Sequence, residues 1–212
     1  MKVLIKSPSQ MIADLIQSKG ILEIVHPNMS LLNITDQAAF AMVRRSGLGA
    51  SDSSVILGVN QWTTLQDLIE EKKSIGLTDH EIEVGNKENV RKGRDLEPII
   101  LENFEKNLAL TVVKPDPMYR IKEHPQLTIN FDGVTVLGEQ LIPVEAKFVS
   151  AFASKYWDRT KQIHNWYEGN PLICGGATIQ EHILEEAKLY GIPGYYYTQV
   201  QQQMLGLNAG VS

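Results

Sequence analysis

The chain has 212 residues, 43% of them hydrophobic, and a formal net charge of −5. That length supports one compact core, or one domain with a small appendage, and argues against two full domains. No apolar run approaches bilayer-spanning length, and the opening Met1-Lys2-Val3-Leu4-Ile5-Lys6 is too short for a signal peptide, so a soluble, cytoplasmic protein with no membrane partner is expected.

The single cysteine, Cys174, cannot form an internal disulfide or a cysteine zinc site, and in Leu172-Ile173-Cys174 it reads as a packing residue. The five histidines are scattered without metal-ligand spacing. The acidic balance disfavours a protein that simply coats nucleic acid, since Lys and Arg supply most non-specific affinity for phosphates. It leaves room for a carboxylate centre beside a local basic channel.

In chain order, residues 8–19 read as an amphipathic helix stopped by Gly20, with Met11, Ile12, Leu15 and Ile16 at helical spacing. Residues 21–33 carry a turn at Pro27-Asn28. Thr35-Asp36 caps a helix through Arg45, Ser46-Gly47-Leu48-Gly49 breaks it, and Ser51-Asp52 caps another short one. A helical period then runs from Leu65 to about Ser74. Residues 76–86 read as a polar connection without order of its own. The next helix spans 87–107, with Pro98 either kinking it or opening a new segment.

From Leu110 to Lys147 the pattern becomes short β runs separated by turn residues. Helices resume at 152–167, 179–190 and 196–207. This order predicts an α/β domain with a central mixed, largely antiparallel sheet flanked by helices.

Chemistry enters with Glu145 and Lys147, two apart on a predicted strand and therefore on one face. Taken alone they read as a surface pair. Asp132-Gly133 ends the preceding strand, and the returning chain brings Glu145 alongside Asp132, although Asp-Gly is also a common turn dipeptide. Glu97 falls on the face of Ile100, Leu101, Phe104 and Leu108, which turns a carboxylate towards the core; its plainer reading is a helix-start role beside Pro98. Three carboxylates within about 4 Å of each other would repel by roughly 4 kcal/mol per pair at an effective dielectric near 20, so they would protonate or hold a cation. Oxygen-only ligands favour Mg²⁺, with Mn²⁺ as a substitute. Such an ion beside a lysine suits phosphodiester hydrolysis.

The segments Arg44-Arg45-Ser46-Gly47-Leu48-Gly49-Ala50-Ser51-Asp52, Gly93-Arg94-Asp95-Leu96-Glu97-Pro98, Asn130-Phe131-Asp132-Gly133, Val144-Glu145-Ala146-Lys147 and Tyr197-Thr198-Gln199-Val200-Gln201 occur in the order found in one known family. Over residues 36–208 the chain resembles the YqaJ-like viral recombinases, the family of the bacteriophage lambda exonuclease within the PD-(D/E)XK nucleases.

The resemblance implies a restriction-endonuclease-like core and a Mg²⁺-dependent deoxyribonuclease. The expected activity is 5′-to-3′ exonuclease action on duplex DNA ends in phage-type recombination. It implies metal ligation by Asp132, Glu145 and the Ala146 backbone carbonyl, with Glu97 acting directly or through water. Lys147 would serve the nucleophilic water and Gln199 would face the site. Gln199, Gln202 and Gln203 share a helical face from which Gln201 diverges.

Arg45 and Ser51 stand at the family's 5′-phosphate positions, a role that guanidinium geometry and a helix-start hydroxyl both suit; their plainer readings are a surface charge and an N-cap. Trp62 could stack on a base, but after a short helix it reads first as packing. The resemblance further implies a homo-oligomer, a ring-shaped trimer among its forms, and a single-strand annealing protein as partner.

Domain organisation is expected as a helical extension over 1–34 and a nuclease domain over 35–212. Family members continue past the glutamine helix with further strands, which the sequence to Ser212 does not show. An endonuclease of the same fold and a catalytically inactive DNA-binding or assembly module stay open as alternatives.

Overall fold

The computed structural model describes residues 7–35, 37–150, 154, 157 and 179–209. Apart from Ser154 and Trp157, the helix expected over 152–167 lies outside the described residues, as does Cys174. Among the described residues no helix is long and apolar enough to cross a membrane.

Helix α1 (Pro8–Ser18) starts where Ser7 caps the Gln10 amide and ends before Gly20, whose φ of +70° reverses the chain. Its Ile12 and Ile16 enter the core. Strand β1 (Leu22–His26) follows, then α2 (Met29–Thr35) and α3 (Gln37–Arg44), a 3-10 turn at Ala50–Asp52, and α4 (Ser53–Ile56). The helices α5 (Leu65–Lys73), α6 (Asp79–Asn86) and α7 (Glu88–Leu108) complete the first half. Strands β2 (Val112–Val113), β3 (Met118–Ile121), β4 (His124–Ile129), β5 (Gly133–Leu137) and β6 (Gln140–Val144) precede α8 (Ile179–Leu189) and α9 (Gly194–Leu207).

The α/β class expected from sequence is observed, but the strands form two antiparallel three-stranded sheets, ordered β1-β3-β4 and β2-β5-β6, instead of one central sheet. Two local differences follow. Residues 22–26 pair with β3, so the segment before residue 35 contributes a strand as well as helices. Residues 79–86 are helical because Thr78 and Glu81 form a capping box: the Thr78 amide donates to Glu81 Oε2 at 2.7 Å and the Glu81 amide to Thr78 Oγ1 at 3.2 Å.

The core lies between α1, both sheets and α9, with Ile129, Phe131 and Val134 fully enclosed. Each such side chain contributes on the order of 1.5–3 kcal/mol by leaving water. Ile129 ends β4, Val134 is the second residue of β5, and Phe131 lies between them, so the β4–β5 crossover is anchored from three positions. Asp132 sits on that crossover.

Pro143 is tolerated within β6 because β6 is an edge strand. Pro98 lies inside α7, which runs as one helix through it. The α7 face expected to be buried is only half-covered, and Leu108 is exposed.

Candidate active site

Register explains why Asp132 and Glu145 meet. Gly133 pairs with Val144 in the β5–β6 ladder, and continuing one residue beyond sets Asp132 opposite Glu145. Gly133 is required there by close approach, since an added Cβ would lie 2.5 Å from Val112 Cγ1. Asp132 is therefore a junction residue between two sheets, not the tip of a hairpin. β6 stops at Val144, so Glu145 and Lys147 project from the segment just beyond the strand.

Asp132 Oδ2 accepts a hydrogen bond from the Ala146 amide at 3.1 Å and lies 3.8 Å from Lys147 Nζ. Lys147 is in direct ionic contact with Glu145 Oε1. Burial first, then the charge of Glu145, pushes the Asp132 carboxyl up to about 6, against the opposing pull of Lys147 and the Ala146 amide. For Lys147, burial disfavours the charged form, but the two carboxylates outweigh it and raise its pKa. The Lys147 ammonium also lies 5.3 Å from the centre of the Tyr196 ring.

Helix α9 supplies amide donors to the same centre. Gln199 Nε2 donates to Glu145 Oε1, and Gln203 Nε2, one turn later, donates to Oε2 at 2.7 Å. Gln202 Nε2 instead donates to the carbonyls of Leu48 and Thr128, at 3.0 and 3.1 Å, and fixes the helix to β4. Gln201 faces solvent. The helical face read from the sequence is thus present, divided between two tasks.

The segment that carries Ser51 is docked on β4 as well. The Leu48 amide donates to Gln126 O at 2.7 Å and the Thr128 amide to Leu48 O at 2.9 Å. Gly47 permits this approach, because a Cβ there would lie 2.5 Å from Thr128 Cγ2. Lys72 then bridges Asp52 Oδ2, at 2.6 Å, and Gly47 O, at 2.9 Å.

The resulting cavity, of about 380 Å³, is lined by Asp132, Glu145, Lys147 and Gln199 together with Arg44 and Ser51. Tyr196, Asp52 and Lys72 also border it.

Two expected residues are placed elsewhere. Arg45 is buried in an ion pair with Glu81 and donates to the carbonyls of Ser74 and Gly76, whereas Arg44 reaches Ser51 Oγ at 3.4 Å. Arg44 shares a helical face with Phe40, whose ring lies 5.8 Å from its guanidinium carbon; this i, i+4 relation was the available sequence signal. Glu97 contacts Lys114 and does not line the cavity. Among the described residues no group of three or more His, Cys, Asp and Glu side chains forms a metal-ligand cluster, so the expected three-carboxylate convergence is observed as two. Glu97 is in ionic contact with Lys114 instead. Trp62, read first as packing, is exposed.

The fold and this pocket define an α/β protein with two partly buried carboxylates and a lysine held together at a sheet junction. The chain belongs to the YqaJ-like viral recombinase domain family, whose model matches residues 39–206. It is also similar to the Bacillus subtilis (strain 168) protein described as "Uncharacterized protein YqaJ", at 31% identity over 116 residues. That match covers 54% of this chain and 34% of the relative, so the chain spans about a third of that protein's length.

Proposed function

We infer that this protein is a divalent-metal-dependent deoxyribonuclease that hydrolyses DNA from duplex ends, 5′ to 3′, in phage-type recombination. The observation that carries the reading is the convergence of Asp132, Glu145 and Lys147 in one cavity that Arg44 and Ser51 also line. Membership of the recombinase family supports DNA as the substrate. In this reading the two sheets with α7 and α9 are the core of a restriction-endonuclease-like fold.

The donor chemistry fits a hard cation. Two crowded carboxylates, one with its pKa raised to about 6, are relieved by a positive charge, and oxygen donors favour Mg²⁺ or Mn²⁺. Asp132, Glu145 and the Ala146 carbonyl would hold it. Glu97 would join only after exchanging its Lys114 contact. When bound, the ion supplies the charge that acidifies an attacking water and stabilises the phosphate oxygens.

The protein's own groups do the rest. Gln199 and Gln203 hold Glu145 from both oxygens, which fixes the carboxylate plane. Lys147 orients the attacking water with its ammonium. Arg44 and Ser51 receive a phosphate through a guanidinium and a hydroxyl on one wall. A ring-shaped homo-oligomer would let this acidic chain concentrate Lys and Arg around DNA, with a single-strand annealing protein consuming the product.

The test is degradation of linear 5′-phosphorylated duplex DNA with Mg²⁺, compared with covalently closed circles and with EDTA. Loss of linear DNA alone, only with the metal, is expected. Equal attack on circles would replace the end-dependent reading with an endonuclease, and no Mg²⁺-dependent attack on either would overturn it.

A further inference from the structure

A second and larger cavity, of about 550 Å³, adjoins the carboxylate pocket and shares Phe40, Arg44, Ser51 and Asp52 with it. Its far wall is made by α6 and the N-terminal half of α7, which contribute Gly85, Arg91 and Arg94. Arg91 and Arg94 are one turn apart on α7 and face the same space. Neither is held by an ion pair among the described residues, Arg91 lying only within electrostatic reach of the exposed Glu88.

The cavity also contains carboxylates, and their partners decide its charge. Asp52 is paired with Lys72 and Glu81 with Arg45. Glu71 has its pKa raised, by burial first and then by Asp52 and Glu81. Three guanidinium groups, those of Arg44, Arg91 and Arg94, therefore line a space whose acidic groups are neutralised or resist ionisation. Its remaining wall mixes apolar side chains, among them Phe40, Leu77 and Ile82, with the neutral polar Asn60, Thr63 and Asn86. Cationic groups for phosphate and apolar walls for bases match a nucleic-acid strand, and the volume lies within the range of sites that enclose small ligands.

We propose that this cavity is a second nucleotide subsite for a 5′ overhang: an internal phosphate takes the place of the terminal one at Arg44 and Ser51, and Arg91 and Arg94 bind the backbone phosphates of the overhanging strand beyond it. The proposal rests on the nuclease reading for the identity of the strand, and its test is separable from that reading. Each lost phosphate contact lowers the slope of log K against log salt by roughly 0.7 for single strands and roughly 0.9 for duplex. Both arginines are exposed, so Arg91→Ala with Arg94→Ala leaves the fold intact. A second variant, Gly85→Phe, fills the cavity from a position where an added Cβ meets nothing within 4 Å.

Binding of a 5′-phosphorylated duplex with a 5′ single-stranded overhang is measured by fluorescence anisotropy across a salt series, with Ca²⁺ replacing Mg²⁺. The double variant is expected to show a slope shallower by about 1.4–1.8. Gly85→Phe is expected to bind about tenfold more weakly or worse, the loss of roughly 1.4 kcal/mol. Parent-like slope and affinity in both variants would overturn the subsite. If Asp132→Ala abolishes Mg²⁺-dependent cleavage while the slopes are unchanged, the subsite alone is wrong; if Asp132→Ala still cleaves while the slopes fall, the subsite stands and the carboxylate centre is wrong.

Discussion

Gln203, with no solvent exposure, donates its side-chain amide to Glu145 Oε2 at 2.7 Å. Its own Oε1 has no partner, an arrangement that spends a buried polar atom to keep the donor aimed at the carboxylate. A hydrogen bond to a charged group contributes about 1.5–3 kcal/mol. Gln203→Met, of similar volume, is therefore expected to lower the cleavage rate at saturating Mg²⁺ by ten-fold or more with little change in KM for DNA. Steady-state kinetics beside a thermal melt check this. A parent-like rate in a folded variant would remove Gln203 from the site.

Adjacent arginines should behave differently. Arg45→Ala leaves half-buried Glu81 without its guanidinium and frees two carbonyls, so a stability loss of ~2 kcal/mol is expected in denaturant unfolding. Arg44→Ala should leave stability within ~1 kcal/mol, because among the described residues Arg44 makes a long contact to Ser51 and a ring contact to Phe40 and no ion pair. It should instead raise KM for 5′-phosphorylated ends several-fold. The reverse pattern would return the phosphate role to Arg45.

Gly133→Ala tests the junction that brings Asp132 to Glu145. The new methyl meets Val112 Cγ1 at 2.5 Å, and overpacking of this kind costs about 1–3 kcal/mol. A lower melting temperature together with a loss of cleavage larger than the unfolded fraction explains is expected. Unchanged stability would show that β2 yields without disturbing the junction.

The pH dependence of stability should carry the mark of Glu71. Burial, with Asp52 and Glu81 adding to it and Lys72 and Arg44 opposing it, raises its folded-state pKa above the unfolded value. The folded protein thus binds this proton more tightly, and the cost of ionising Glu71 grows as pH rises through its folded pKa. Glu71→Gln removes that cost. The variant is expected to melt higher than the parent at pH 8, with the difference shrinking towards pH 4; a constant difference would contradict the assignment.

The sequence exposes the site more clearly than the architecture around it. Gln199 and Gln203 were legible from an i, i+4 face, because that relation is local, whereas Glu145 and Lys147 come together although β6 stops at Val144, before the strand spacing that pointed to them could act. The two sheets were not legible, since β1 and β3 pair across nearly a hundred residues and nothing local signals that choice. Helix α6 has a local signal in Thr78-x-x-Glu81, a capping-box signature that the polar composition of residues 76–86 hides. Choosing between Arg44 and Arg45 depended on where α3 ends and what Glu81 offers, both tertiary facts. Glu97 illustrates the converse, a carboxylate on a plausible face whose partner is settled by a lysine from another segment.

The most direct test of the central claim is Mg²⁺-dependent hydrolysis of a linear duplex by Asp132→Asn and Glu145→Gln, each nearly isosteric and each removing one carboxylate. Both variants should stay folded and lose cleavage by about a thousand-fold or more, on the scale of removing a group that stabilises charge in the transition state. Cleavage at the parent rate by either folded variant would contradict the account.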